Sequence, residues 1–317
     1  MFCAERIVTR RHVIAAGGTL LLAGCARRRE PERRVAIARA PAYGPDLYDR
    51  MYRVLTELGT SARGKRVVLK PNLVEFDAGS AINTHPVFVH AALEAFRRLG
   101  AADVRIAEGP GHRRITLDLA DAAGFFGVIP SFERLFTDLN LDEVTKVKLN
   151  SPVSKLRSLY LPHTALGADL VVSLPKMKTH HWVGATLSMK NFFGLVPGGV
   201  YGWPKNVLHW AGINECIADL YRAFPRHFAL VDGIDGMEGN GPIQGRTRHA
   251  GLIVAGSDLA AVDATCCRIM QIDPDKIEYL RLAGAGGSIR QIGEAVETVA
   301  TPFDLIPQFQ SLRLGRA

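Results

Sequence analysis

The stretch Leu170-Val171-Val172-Ser173-Leu174-Pro175-Lys176-Met177-Lys178-Thr179-His180-His181 passes, with only a proline between, from an apolar run to a concentration of cations. Its first five residues predict a strand buried on both faces. With the backbone extended beyond Pro175, Lys176, Lys178 and His180 alternate with Met177 and Thr179 and project from one side. Two ammonium groups and an imidazole in one space repel each other, which lowers their pKa values and calls for an anion or a carboxylate as neutraliser.

The same order recurs along the chain. Residues 67–69 run into Lys70-Pro71-Asn72, residues 104–107 into Glu108-Gly109-Pro110-Gly111-His112, and residues 228–231 into Asp232-Gly233-Ile234-Asp235-Gly236. Two further apolar runs, 35–38 and 252–255, also read as buried strands. Helical patterns lie between them: 86–99 closed by Gly100, 213–224 stopped by Pro225, and 259–270 opened by Ser257-Asp258. This alternation predicts an α/β fold, a mostly parallel sheet with helices on both faces, in a single large domain. Ligands of open α/β sheets bind beyond the carboxyl ends of the strands, so the four polar loops mark the expected site.

Within those loops, Lys70, Lys176, Lys178, Lys190 and Asn191 are the candidate anion-binding residues. Thr186 and Lys190 fall on one helix face, and Gly194 reads as that helix's C-terminal stop. His85 and His180 are the candidate acid/base groups; His85 precedes Pro86 at a predicted helix N-terminus, where the dipole favours a neutral ring. Asp232 and Glu238, in a Gly-rich segment extending to Pro242, could orient a lysine or hold a divalent cation, although Asp-Gly and Asn-Gly pairs are also turn signals. Cys216, Cys266 and Cys267 show no C-x-x-C spacing, so the chain carries no iron–sulfur motif of its own and no disulfide framework.

The first residues have a different purpose. Arg10 and Arg11 stand directly before an uncharged run, 13–24, that ends in Leu22-Ala23-Gly24-Cys25. A helix of that length rises about 18 Å against a hydrocarbon core of about 30 Å, too short to span. Residues 1–25 therefore read as a twin-arginine lipoprotein signal with Cys25 as the lipidated residue, which predicts export and lipid anchoring on the periplasmic, extracytoplasmic side. The chain has 39 basic and 31 acidic residues; loss of Arg6, Arg10, Arg11 and Glu5 with the leader leaves 36 and 30, a net charge of +6. Part of the excess lies in 26–34, read as a basic tether spacing the domain from anionic lipid rather than binding nucleic acid. The domain itself is expected over 35–317.

Several short segments together, Val68-Leu69-Lys70-Pro71-Asn72, Thr84-His85-Pro86, the run 169–178, Met189-Lys190-Asn191-Phe192-Phe193-Gly194, Val231-Asp232-Gly233 with Glu238-Gly239, and Val254-Ala255-Gly256 with Ala261-Val262-Asp263, resemble the DUF362 family in matching order. That resemblance implies an architecture without an activity. Members stand alone or beside ferredoxin-type modules, and some carry export signals; the missing cluster cysteines argue against an inherited electron-transfer role. The expected function is a membrane-tethered extracytoplasmic protein, an enzyme acting on an anionic small molecule or envelope component. The alternatives are a non-catalytic binding lipoprotein and an accessory subunit of a redox or metal-handling complex with a redox partner protein.

Overall fold

The computed structural model describes residues 32–315. The signal residues Arg10, Arg11 and Cys25 lie outside the described residues. Ten of twelve strands form one mixed sheet: β1 (Arg33–Arg39), β2 (Arg66–Pro71), β3 (Asp103–Glu108), β4 (Phe136–Asp138), then β7 (Leu170–Leu174), β8 (Lys176–His180), β9 (Gly184–Thr186), β10 (His227–Glu238), β11 (Arg246–Gly256) and β12 (Ile289–Gly293). The remaining two, β5 (Val144–Lys148) and β6 (Ser158–Pro162), make a separate antiparallel pair. The main order is β12-β1-β11-β10-β7-β2-β3-β4, with β8 and β9 continuing beside the far end of β10.

The core of the sheet is parallel, as the strand–helix alternation predicts: β4, β3, β2, β7 and β10 run together, with Val67 opposite both Val104 and Leu170, and Phe228 opposite Val172. β11 is the exception in this order. The link 239–245 is too short for the crossover that a parallel return needs, so β11 comes back antiparallel along β10.

Alternation along each strand builds two apolar layers. Val35, Ile37, Val68, Val171, Val231 and Val254 pack on one face under the helices Ile213–Ala223 and Leu259–Ile269. Ala36, Val67, Leu69, Val172, Leu230 and Ile253 face the other way, under Leu47–Glu57 and Pro86–Arg98. The helix starts follow the sequence: Asp258 accepts the Ala261 amide at 3.0 Å, and His85 accepts that of Val87 at 3.2 Å before Pro86.

The proposed tether needs a correction at its end. Arg33 and Arg34 belong to β1, because Arg33 bonds the Gly286 carbonyl at 2.7 Å and pairs with Asp258 at 3.2 Å, while Arg34 bonds the Glu57 carbonyl at 3.0 Å. The domain therefore starts two residues earlier than the apolar run suggested. No helix among the described residues is long and apolar enough to cross a membrane.

Candidate functional site

The chain does stay extended through Pro175, whose carbonyl accepts the Asp232 amide at 2.9 Å, so Lys176, Lys178 and His180 leave β8 on one side. They do not share one space. The segment 82–85 crosses between them, fixed by Thr84: its hydroxyl donates to the Leu174 carbonyl at 2.6 Å and accepts the Asn72 amide at 2.8 Å. On one side of this strap the Ile82 carbonyl takes the Lys178 ammonium at 2.9 Å; on the other the His85 amide bonds Asp232 at 3.0 Å.

The first compartment is a cavity of about 330 Å³ beyond the ends of β2, β3 and β8. Its cations come from four parts of the chain. Lys70, at the end of β2, pairs with Glu108 at the end of β3 and donates to Asn191 Oδ1 at 2.8 Å; both members of the pair are buried. Lys178 donates to the Ile82 and Pro242 carbonyls, and Lys205 to those of Gly109 and Phe193 at 2.5 and 2.7 Å. Lys190, half-buried, lies 3.9 Å from the Phe193 ring centre and has no carboxylate partner among the described residues. His180 completes the set, its Nδ1 accepting the Trp182 amide at 3.0 Å.

Electrostatics follow from burial first and mutual repulsion second. Burial pulls the Lys190 amine down to about 7, with Lys70 adding to the effect. It does the same to Lys205, again to about 7, against the opposing pull of Glu108. Lys178 and His180 are driven well below their ordinary values by burial and then by neighbouring cations. Lys70 is also lowered by burial, with Glu108 resisting, while burial raises the Glu108 carboxyl against Lys70 and Lys205. Two buried side-chain oxygens of lining residues have no partner: Asn72 Oδ1 and Thr186 Oγ1, in residues 7% and 5% exposed. Trp182, 55% exposed, and His209 stand edge to face 5.0 Å apart among the lining residues.

The local sequence explains how Lys190 and Asn191 reach this place. Asp263, in the helix Leu259–Ile269, accepts the Ser188 and Met189 amides at 2.8 and 3.0 Å and the Ser188 hydroxyl, capping the short helix Ser188–Asn191. That helix continues into the 3-10 turn Phe192–Leu195, so Gly194 is not the expected stop. Its role is space. A Cβ there would collide with Glu108 Oε1 and with Lys70 Cε and Nζ.

The second compartment, about 510 Å³, contains Lys176 and His85 with Tyr43 and Asp235. Asp232 is fully buried beneath it, accepting from Lys176 at 2.7 Å, the Tyr43 hydroxyl at 2.9 Å and the His85 amide. Tyr43 stacks on the His85 ring at 3.8 Å. Burial, more than any charge, lowers the His85 pKa. This is a closed network with matched charges, so Lys176, His85 and Asp232 separate from the other sequence-predicted residues. Glu238 is elsewhere again, with Arg246, Arg248 and the Asp304 amide. Asp232 and Glu238 therefore do not converge as metal ligands, and no group of three or more His, Cys, Asp or Glu among the described residues could hold a metal ion. Cys216, Cys266 and Cys267 are free and buried.

Glu108 and Lys205 are the members that sequence reasoning did not assign to the site. Glu108 followed a predicted strand and so carried the same signal as Lys70. Lys205 carried none: it sits in a turn with a left-handed backbone, φ +68°, and reaches the cavity only through the tertiary fold.

An α/β domain with a cation-rich cavity at its strand ends is the class that fold and site define. The chain belongs to the DUF362 family: the model of that domain of unknown function matches residues 67–268. It is similar to the thylakoid-associated protein sll1697 of Synechocystis sp., 30% identical over 223 residues, which cover 68% of this chain and 65% of the relative. This chain thus spans just under two-thirds of that relative's length. It also shows a distant likeness to the lactate racemase apoprotein of Thermoanaerobacterium thermosaccharolyticum, with 16% identity, a TM-score of 0.46, and coverage of 75% of this chain and 57% of the racemase.

Proposed function

We propose that this protein is held to the outer side of a membrane by a lipid on Cys25 and binds an anionic small molecule or envelope component in the cavity beyond β2, β3 and β8. The observation that carries the reading is a charge mismatch: Lys70, Lys178, Lys190 and Lys205 line the cavity with Glu108 as the one carboxylate among the described lining residues. Unpaired ammonium groups in such surroundings are costly, and a carboxylate or phosphate offsets that cost. Thr186 brings an unpartnered hydroxyl to the lining, while Asn191 is committed to Lys70 and Ser173 and serves by holding that lysine in place. His180, in the same cavity and with Nδ1 accepting the Trp182 amide, is left in its neutral form with Nε2–H as a hydrogen-bond donor; His85 lies behind the strap. A binding lipoprotein and an enzyme would use the same cavity, and turnover of anionic substrates separates them.

Calorimetry with inorganic phosphate and small dicarboxylates tests the binding. Lys178→Ala and Lys190→Ala should each weaken the affinity about 10-fold or more, the worth of one charge-assisted contact. Unchanged affinity in both variants would remove the cationic cavity from the function. The thylakoid-associated relative supports a membrane location. Fractionation with metabolic lipid labelling tests it: Cys25→Ser should leave an unlipidated precursor, and Arg10-Arg11→Lys-Lys should block export. Normal lipidation of the Cys25→Ser chain would end the anchoring proposal.

A further inference from the structure

Resting on the anion-cavity reading, we infer that Lys190 is a nucleophilic amine that condenses with the carbonyl carbon of a small carboxylated or phosphorylated aldehyde or ketone. The four cavity lysines are not equivalent. Lys70 spends its ammonium on Glu108, Asn191 and the Pro71 carbonyl; Lys178 and Lys205 each donate to two backbone carbonyls. The Lys190 amine makes no hydrogen bond among the described residues, and Phe193 shields one side of it from water. An amine without acceptors to serve loses little on giving up its proton, and burial beside Lys70 brings that loss close to neutral pH. The Asp263 cap holds the backbone from which Lys190 reaches the cavity, and the Phe193 ring lies against its amine.

The cavity also fits the rest of the step. The ligand's carboxylate or phosphate meets the lysines that remain charged, and the lining residues Asn72 and Thr186 each hold a buried oxygen without a partner. The Lys190 nitrogen bonds the carbonyl carbon, its two protons are lost in turn, and the carbonyl oxygen leaves as water after protonation by a neighbouring ammonium. The product is an imine, with no change in oxidation state.

The experiment incubates the full chain with glyoxylate, pyruvate or pyridoxal 5′-phosphate, reduces with borohydride, and maps the adducts by peptide mass spectrometry. Reduction adds hydride to the imine carbon and fixes the mass. Lys190 should be labelled up to about 1,000-fold faster than exposed lysines at neutral pH, reflecting its larger fraction of free amine. Inorganic phosphate should protect it, and Lys190→Arg, which keeps the charge, should abolish the adduct while still binding phosphate. Phosphate binding without preferential labelling of Lys190 would overturn the inference and leave the anion cavity standing. Absence of both would overturn the two together.

Discussion

Gly194 shows how much one absent side chain can decide. Its Cα lies against the buried Lys70–Glu108 pair, and any Cβ must push one of the two aside. Gly194→Ala should therefore cost at least about 2 kcal/mol in denaturant unfolding, since overpacking and a parted buried ion pair add. A midpoint within error of wild type would show that the pair can shift freely. The lysines predict a second effect. Because burial makes Lys190 and Lys205 hold protons weakly in the cavity, an arriving anion should raise their pKa values and draw protons in. Calorimetry of phosphate binding near pH 7.5, in buffers of different ionisation enthalpy, should show net uptake; net release would contradict it. Much of this was readable in advance, since Lys70, Lys178, His180, Lys190 and Asn191 stand directly after apolar runs or in a recognisable helix. Lys205 was not, because its turn has no strand before it and only the fold carries it to the cavity.

The short helix Ser188–Asn191 cannot be stable alone, having a single turn of its own. Asp263 substitutes for the missing turns by accepting three donors at its start, although burial pushes that carboxyl up to about 7. Asp263→Ala leaves those donors unpaired and should cost several kcal/mol, and by releasing Lys190 and Asn191 it should also weaken phosphate binding. Asp258→Ala is the contrasting case: it removes a helix cap and the partly exposed Arg33 ion pair, at a cost of about 1–2 kcal/mol together, and should leave phosphate affinity unchanged. Equal effects of the two on affinity would separate Asp263 from the site. At this scale the sequence was informative about strand and helix position, and misleading about neighbours. Period-two alternation correctly put Lys176, Lys178 and His180 on one side of β8; it contains no information about the strap 82–85, which arrives from another part of the chain and divides them.

Across the whole domain, the cavity lysines make stability depend on pH. An unfolded lysine titrates near 10.4, whereas Lys190 and Lys205 titrate at about 7 in the folded chain. Between these values the unfolded chain holds more protons, so stability rises with pH. The clearest window is pH 7 to 8.5, above the value of Asp263 and below the ordinary range of the buried thiols, whose raised values act in the opposite sense at higher pH. Each lysine should add up to about 2 kcal/mol across it. Thermal midpoints should climb over this range in wild type and flatten in Lys205→Met; a falling profile would refute the assignment. The strap has a consequence of its own at this scale. Thr84 helps divide one groove into two chambers with different linings, one neutralised by Asp232 and one left positive, while the Lys176 charge still acts across the divide on Lys178. Thr84→Val keeps the shape but removes both hydroxyl bonds while the Thr84 amide still holds the Asn72 carbonyl at 2.9 Å, and any water admitted beside the strap would hydrate the confined amines and raise their basicity. One hydroxyl thus joins the backbone bonds of the strap in keeping apart two ammonium groups that, separated by one residue along a strand, still feel each other's charge.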